Sequence, residues 1–328
     1  MQNNYPLSFF KDISQHRTAI MGISMLSIML FHQYFTSVFP FNIFHNFGHW
    51  GVDLFLFLSG MGLVNSLKRN SLKVYYQRRF FRLAPACIIC GTIKYIAFLL
   101  IGAPIALGER LEIGWWSVFS LDLWFIYTII IYYAISPLLY KLLCHKNYAF
   151  TLLGVIFLFY YASIFLFSKV GDNWMTPIGL FTWTAARLPV FTFGMLLAIR
   201  GEMLSKKLTI ISAVCLLFAV IIVFMMKAGT DTPTLNMHLY FALAIGALAL
   251  TKSCIWLLGH TPQAFTKFFE FIGHHSLEIY LTHEFIIYAF ILYFNQQYNP
   301  FCLLFVSMVL SVFVAYLCRL LIDKISFQ

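Results

Sequence analysis

Residues 48–85 read GHWGVDLFLFLSGMGLVNSLKRNSLKVYYQRRFFRLAP. From 48 to 67 the stretch is predominantly apolar, and about 20 such residues are what an α-helix needs to cross a bilayer core. The apolar run is continuous rather than alternating, which favours a membrane helix over a barrel strand. It stops at a segment, 68–85, with six positive charges and no acidic residue. Lys and Arg concentrate on the cytoplasmic side of membrane proteins, so this span is read as descending from outside to inside.

The pattern repeats along the chain. Ten candidate spans lie roughly at 17–38, 48–67, 84–103, 121–142, 148–168, 184–200, 207–227, 236–258, 276–294 and 299–322. With the N-terminus inside, only Arg110, Lys169 and Lys227 of the 22 Lys and Arg fall in outer loops, and Lys94 and Arg187 fall within spans. The rest sit in inner segments. That asymmetry predicts an all-α, polytopic helix bundle with both termini cytoplasmic, built as a single membrane domain over residues 1–328. Composition agrees: 61% of the residues are hydrophobic and 10% charged, far fewer charges than the roughly 25% of soluble domains. The net charge of +10 therefore reads as cytoplasmic loops and not as a nucleic-acid surface. Seven cysteines give no disulfide framework, and Cys87 and Cys90, spaced CxxC in an apolar run without a second pair, read as buried small residues. No metal site is expected. Residues 1–16 are polar or mixed and do not read as a cleavable signal peptide.

Ionisable side chains inside the hydrocarbon cost at least ~2.5–3.5 kcal/mol each on insertion scales, so each needs a reason. His32 lies about 22 Å along the first span. Asp53, a few residues into the second, is expected at nearly the same depth, where its carboxylate would orient the imidazole. Ser276, Tyr280 and His283 are spaced by four and three residues and share one face of the ninth span, which also carries Glu278 and Glu284. Pore lining, substrate contact and helix packing all fit that stripe. Arg187 either holds an anion or snorkels to the outer surface. Arg79 and Arg82, spaced i, i+3 beside Arg78, suit either anionic lipid headgroups or the phosphates of a soluble cofactor.

Residues 48–60 resemble the "GvdlFFvlSG" signature of the acyltransferase-3 family of membrane acyltransferases. Arg78-Arg79-Phe-Phe-Arg82-Leu-Ala-Pro85 resembles the "rRxxRixP" motif that follows it. Leu123-Trp124-Phe125 with Tyr133 and Pro137, Phe193-Gly194-Met195, and Ser276 to His283 are similar to three later family motifs, in the family's order. The resemblance implies transfer of an acyl group, usually acetyl from acetyl-CoA, to a hydroxyl of an extracytoplasmic glycan or lipid-linked sugar, by a multi-pass protein of the bacterial inner membrane. It implies that Arg79 and Arg82, with Arg78 assisting, contact the CoA phosphates, and that His32 is the essential histidine. The family's arginine eleven residues before that histidine falls on Met21, with Arg17 one turn earlier.

The expected mechanism has His32 as base, oriented by Asp53, and His283 or Tyr280 stabilising the oxyanion. Arg17, Ser276 and Arg187 complete the expected substrate contacts. An acetyl-imidazole intermediate on His32 is equally compatible. The alternative is a transporter of a small anion or lipid-linked glycan, which explains the intramembrane polar residues but not the basic cluster joined to the GVDLF segment.

Overall fold

The computed structural model of the chain describes residues 5–32, 41–101, 124–145, 153–154, 156–163, 165, 177–227, 233–293 and 299–326. Parts of the expected first, third, fourth, fifth and ninth spans, and Arg110, Leu123, Lys146 and Lys169, lie outside the described residues. Among the described residues there is no strand. The helices are α1 (Tyr5–Phe31), α2 (Phe41–Arg69), α3 (Leu72–Ile101), α4 (Trp124–Cys144) and α5 (Pro177–Ile199). They continue with α6 (Lys206–Lys227), α7 (Pro233–His260), α8 (Gln263–His274), α9 (Ser276–Tyr293) and α10 (Pro300–Ser326).

Seven of these are long and apolar enough to cross a membrane: those at 50–69, 72–97, 124–144, 179–199, 206–226, 238–260 and 301–324. Two others take up further expected spans: α9 matches the ninth, and α1 starts twelve residues before the first and overlaps it over 17–31. Each is diluted by polar residues: Lys11, Asp12 and Arg17 in α1, and Glu278, His283 and Glu284 in α9. Exposed side chains of α6, such as Ile210, Val214, Leu217, Ile221 and Phe224, and of α10, such as Phe305, Val309 and Phe313, form an apolar outer surface. A bilayer is the solvent that suits it.

Small residues let the central helices touch, as expected where no hydrophobic effect drives helices together in lipid. Antiparallel α1 and α2 cross where a Cβ on Gly51 would lie 2.4 Å from the Ser24 carbonyl oxygen. Parallel α2 and α5 approach at Gly60 and Gly194, whose added Cβ atoms would each lie 2.2 Å from a carbonyl oxygen of the other helix. One turn of polar contacts ties α4 to α5: Thr128 and Thr184 hydroxyls 2.9 Å apart, and the Tyr132 hydroxyl donating to the Thr184 carbonyl at 2.5 Å. At the far ends of the same two helices Arg200 donates to the Cys144 carbonyl, so α4 and α5 run in the same direction. The chain between them must therefore return across the bundle, as the expected fifth span requires. α6 and α7 pack as a pair, Ser212 donating to the Ile245 carbonyl at 2.6 Å.

One helix was not expected. α8 is a 12-residue amphipathic helix in the inner segment between the expected eighth and ninth spans. It lies against α1 where a Cβ on Gly22 would sit 1.9 Å from the Phe269 carbonyl oxygen, and one on Gly273 1.9 Å from that of Thr18. Backbone faces backbone there, and no rotamer relieves the clash. Gly22→Val is expected to push α8 off α1 and cost about 1–3 kcal/mol or more, read as a lower thermal midpoint of the purified protein.

Candidate functional site

The basic cluster closes one end of the bundle. α1, α3 and α10 bring Arg17, Arg79, Arg82 and Arg319 around a cavity of about 520 Å³, whose rim also carries His274 and His275 from the end of α8. Arg17 donates to the Leu58 carbonyl at 3.4 Å and lies over Gly62, where a Cβ would meet its guanidinium at 2.7 Å. Arg79 is held by the Ser66 hydroxyl at 3.4 Å and by the rings of Tyr75 and Tyr133. Forked guanidinium donors stacked on aromatic rings suit bidentate contact with phosphate. Glu278, fully buried, lies 3.7 Å from Arg82 and 3.4 Å from Arg319. Arg319 also takes Asp323 at 3.0 Å. Arg78 lines an adjoining open cavity of about 570 Å³ with Arg82 and Arg319.

From this cavity a narrow apolar passage of about 90 Å³ runs deeper. Met21, Ser59, Arg82 and Tyr133 line both spaces. The passage continues past Met25, Ile28, Phe125, Ser276 and Tyr280. Met21, which stands where the family places arginine, is part of its wall, and Arg17 reaches the cavity one turn below it.

Beyond the passage the end of α1 meets α9. His32 and His283 are hydrogen-bonded, Nδ1 of the first to Nε2 of the second at 3.0 Å. His283 Nδ1 lies 3.1 and 2.9 Å from the carbonyls of Ile279 and Tyr280. Carbonyl oxygens only accept, so this nitrogen carries the proton and Nε2 of a neutral His283 accepts from His32. His32 Nδ1 is therefore the donor, shared with the Ile28 carbonyl at 2.9 Å. His283, 1% exposed, thereby fixes the orientation and tautomer of His32 and has no donor left for an oxyanion. On its other nitrogen, Nε2, His32 faces Glu284 at 2.9 Å.

Two expectations are corrected. Asp53 does not orient His32. It lies 2.5 Å from Arg187, both side chains 1% exposed. Nor does Arg187 snorkel: it is enclosed, with the Tyr240 ring centroid 4.0 Å from its guanidinium carbon and Trp124 at 5.8 Å. The pair joins α2 to α5, and leaving either charge alone in that interior would be costly. Glu284 takes the place at His32 that sequence reasoning had given to Asp53.

The acyltransferase-3 family, an acyltransferase domain, matches residues 19–320. No curated protein and no solved structure matches the chain. The family match takes in α2 to α9 entire, about half of α1 and most of α10, and hence the passage, the paired histidines and most of the cavity wall, with Arg17 just before it. The chain belongs to the acyltransferase-3 family and is an integral, multi-pass membrane acyltransferase.

Proposed function

We propose that the protein transfers an acetyl or other acyl group from acyl-CoA, bound on the cytoplasmic side, to a hydroxyl of an extracytoplasmic glycan or lipid-linked sugar in the bacterial inner membrane. The observation that carries this reading is an arginine-lined cavity that shares Met21, Ser59, Arg82 and Tyr133 with a small, mostly apolar space, which reaches Ile28 and Tyr280, one turn short of the paired His32 and His283. Fifteen residues of α1 separate Arg17 from His32, about 22 Å of helix. CoA has its charge at one end and its thioester at the end of a thin pantetheine arm, and that shape fits the sequence of spaces. Arg79 and Arg82 hold phosphate oxygens, with Arg17 and Arg78 beside them. Tyr280 and Ser276 line the path of the arm.

His32 then takes the proton of the acceptor hydroxyl at Nε2, and the alkoxide attacks the thioester carbonyl. His283 sets the ring. Asp53 and Arg187 hold α2 and α5 in place around the site and stay out of the chemistry.

The test is acetyl-CoA turnover by the purified protein in nanodiscs, supplied with an envelope glycan extract and followed by thiol release. Release that requires both the extract and His32 supports the reading. A folded protein that neither binds nor consumes any acyl-CoA overturns it. Arg79→Ala is expected to raise KM for acetyl-CoA about 10- to 100-fold, the loss of a charge-assisted contact, with kcat changed far less. An equal fall in kcat at unchanged KM would remove Arg79 from the binding role.

A further inference from the structure

The arginine end of the bundle holds two spaces side by side. The inner one, about 520 Å³, carries Arg17 and Arg79, and the narrow passage opens from it. The outer one, about 570 Å³, lies between the first turns of α3 and the last turns of α10. Arg82, Arg319 and Asp323 line both. Arg82 also lines the passage, so the three spaces meet at this residue.

The outer space is not built for hydrocarbon. Gln77, Arg78, Phe81 and Arg82 line it from α3, at spacings of three and four residues that keep them on one helix face. Phe80, about 100° back around the helix, turns instead into an apolar groove with Leu83, Ile88 and Ile130. Phe81 is 63% exposed beside a wall that carries three arginines. Arg82 and Arg319 lean on Glu278, whereas Arg78 has no ion pair or hydrogen bond among the described residues. An open aromatic ring one turn from an uncommitted guanidinium suits a phosphorylated nucleoside, with the base on the ring and the phosphate on the fork.

A CoA thioester has its diphosphate in the middle. The pantetheine arm leaves one side of it, and an adenosine that carries a 3′-phosphate leaves the other. With the arm in the passage and the diphosphate on Arg79 and Arg82, the nucleoside falls in the outer space. We propose that this space binds the 3′-phosphoadenosine end of the donor, Phe81 stacking on the adenine and Arg78 holding the 3′-phosphate. This rests on the reading of the donor as acyl-CoA. Gln77, one turn before Phe81, brings an amide to the edge of the stacked base. The site makes the enzyme favour CoA thioesters over those of phosphopantetheine alone, which lack everything the outer space holds.

The experiment measures calorimetric binding of CoA, 3′-dephospho-CoA and 4′-phosphopantetheine to wild type, Arg78→Gln and Phe81→Leu in nanodiscs. KM for the three acetyl thioesters, with the envelope glycan extract as acceptor, is read alongside. Wild type is expected to bind CoA about 10- to 100-fold more tightly than 3′-dephospho-CoA, the worth of one charge-assisted contact. Arg78→Gln is expected to lose that factor for CoA and to bind 3′-dephospho-CoA within about twofold of wild type. Phe81→Leu is expected to weaken both by about 5- to 50-fold, the loss of a stacked base, with KM for acetyl-phosphopantetheine unchanged. Equal affinity of wild type for CoA and 3′-dephospho-CoA overturns the proposal. So does an Arg78→Gln variant that weakens both nucleotides alike, because a general field of positive charge acts on every donor. In either case acetyl transfer by wild type leaves the acyltransfer reading standing. Wild type that binds none of the three ligands removes both.

Discussion

His32→Asn is expected to fold normally and to lose acyl transfer by roughly 10³- to 10⁴-fold. Asparagine keeps an amide N–H able to donate toward His283 Nε2, so the contact between α1 and α9 is preserved. What it lacks is a second, basic nitrogen facing the acceptor. The loss is expected on kcat, because the arginine-lined cavity lies about 22 Å away along α1. Thiol release from acetyl-CoA with the glycan extract reads the rate, and size-exclusion and thermal unfolding confirm the fold. Activity within tenfold of wild type would remove His32 from the base role and return the paired histidines to helix packing.

The second large effect concerns stability. Arg187→Met leaves the Asp53 carboxylate without its partner at 1% exposure, and breaking a buried pair from one side costs about 3–5 kcal/mol. Little folded, monodisperse protein is expected from membranes expressing it. The double variant Asp53→Leu with Arg187→Met removes both charges and is expected to recover most of the stability, since well-packed apolar replacements of buried pairs are close to neutral. It is also expected to keep acyl transfer. A double variant that folds as well as wild type but transfers nothing would put the pair back into the reaction.

Much of this molecule was legible as sequence because lipid is an exacting solvent. Long apolar helices and the gathering of arginines at one end of the bundle follow from a 1.5 Å rise and a charge asymmetry. The direction in which each side chain faces did not follow from depth. Gly48 packs on Phe31 and Gly51 on Ser24 and Ile28, so Asp53 lies more than a turn from the level of His32, and it is two residues past Gly51, about 200° around α2. Gly51 lies against α1, so Asp53 faces away from it, toward α5. The glycines carried that information, and a reading by depth alone passed over it. Arg187 follows from the same geometry, because a cation that meets a carboxylate inside the bundle has no cause to reach for the surface. Glu284 was visible in the ninth span without a role, since its partner belongs to another helix. α8 was passed over between two spans because 12 residues are too few to cross a bilayer, though Phe265, Phe268, Phe269 and Ile272 already carried a helical period.

Glu278 gives the arginine cavity a fixed internal counter-ion. Before any donor arrives, Arg82 and Arg319 are already neutralised in part by a carboxylate that has lost no translational freedom to be there. A lone inorganic phosphate or chloride must compete with that built-in anion one contact at a time, and gains little. A ligand that carries several phosphates on one frame makes its second and third contacts at the high effective concentration of an intramolecular encounter, and displaces the carboxylate's hold in a single event. A glutamate buried in this place therefore puts simple anions at a disadvantage against a ligand that carries several phosphates.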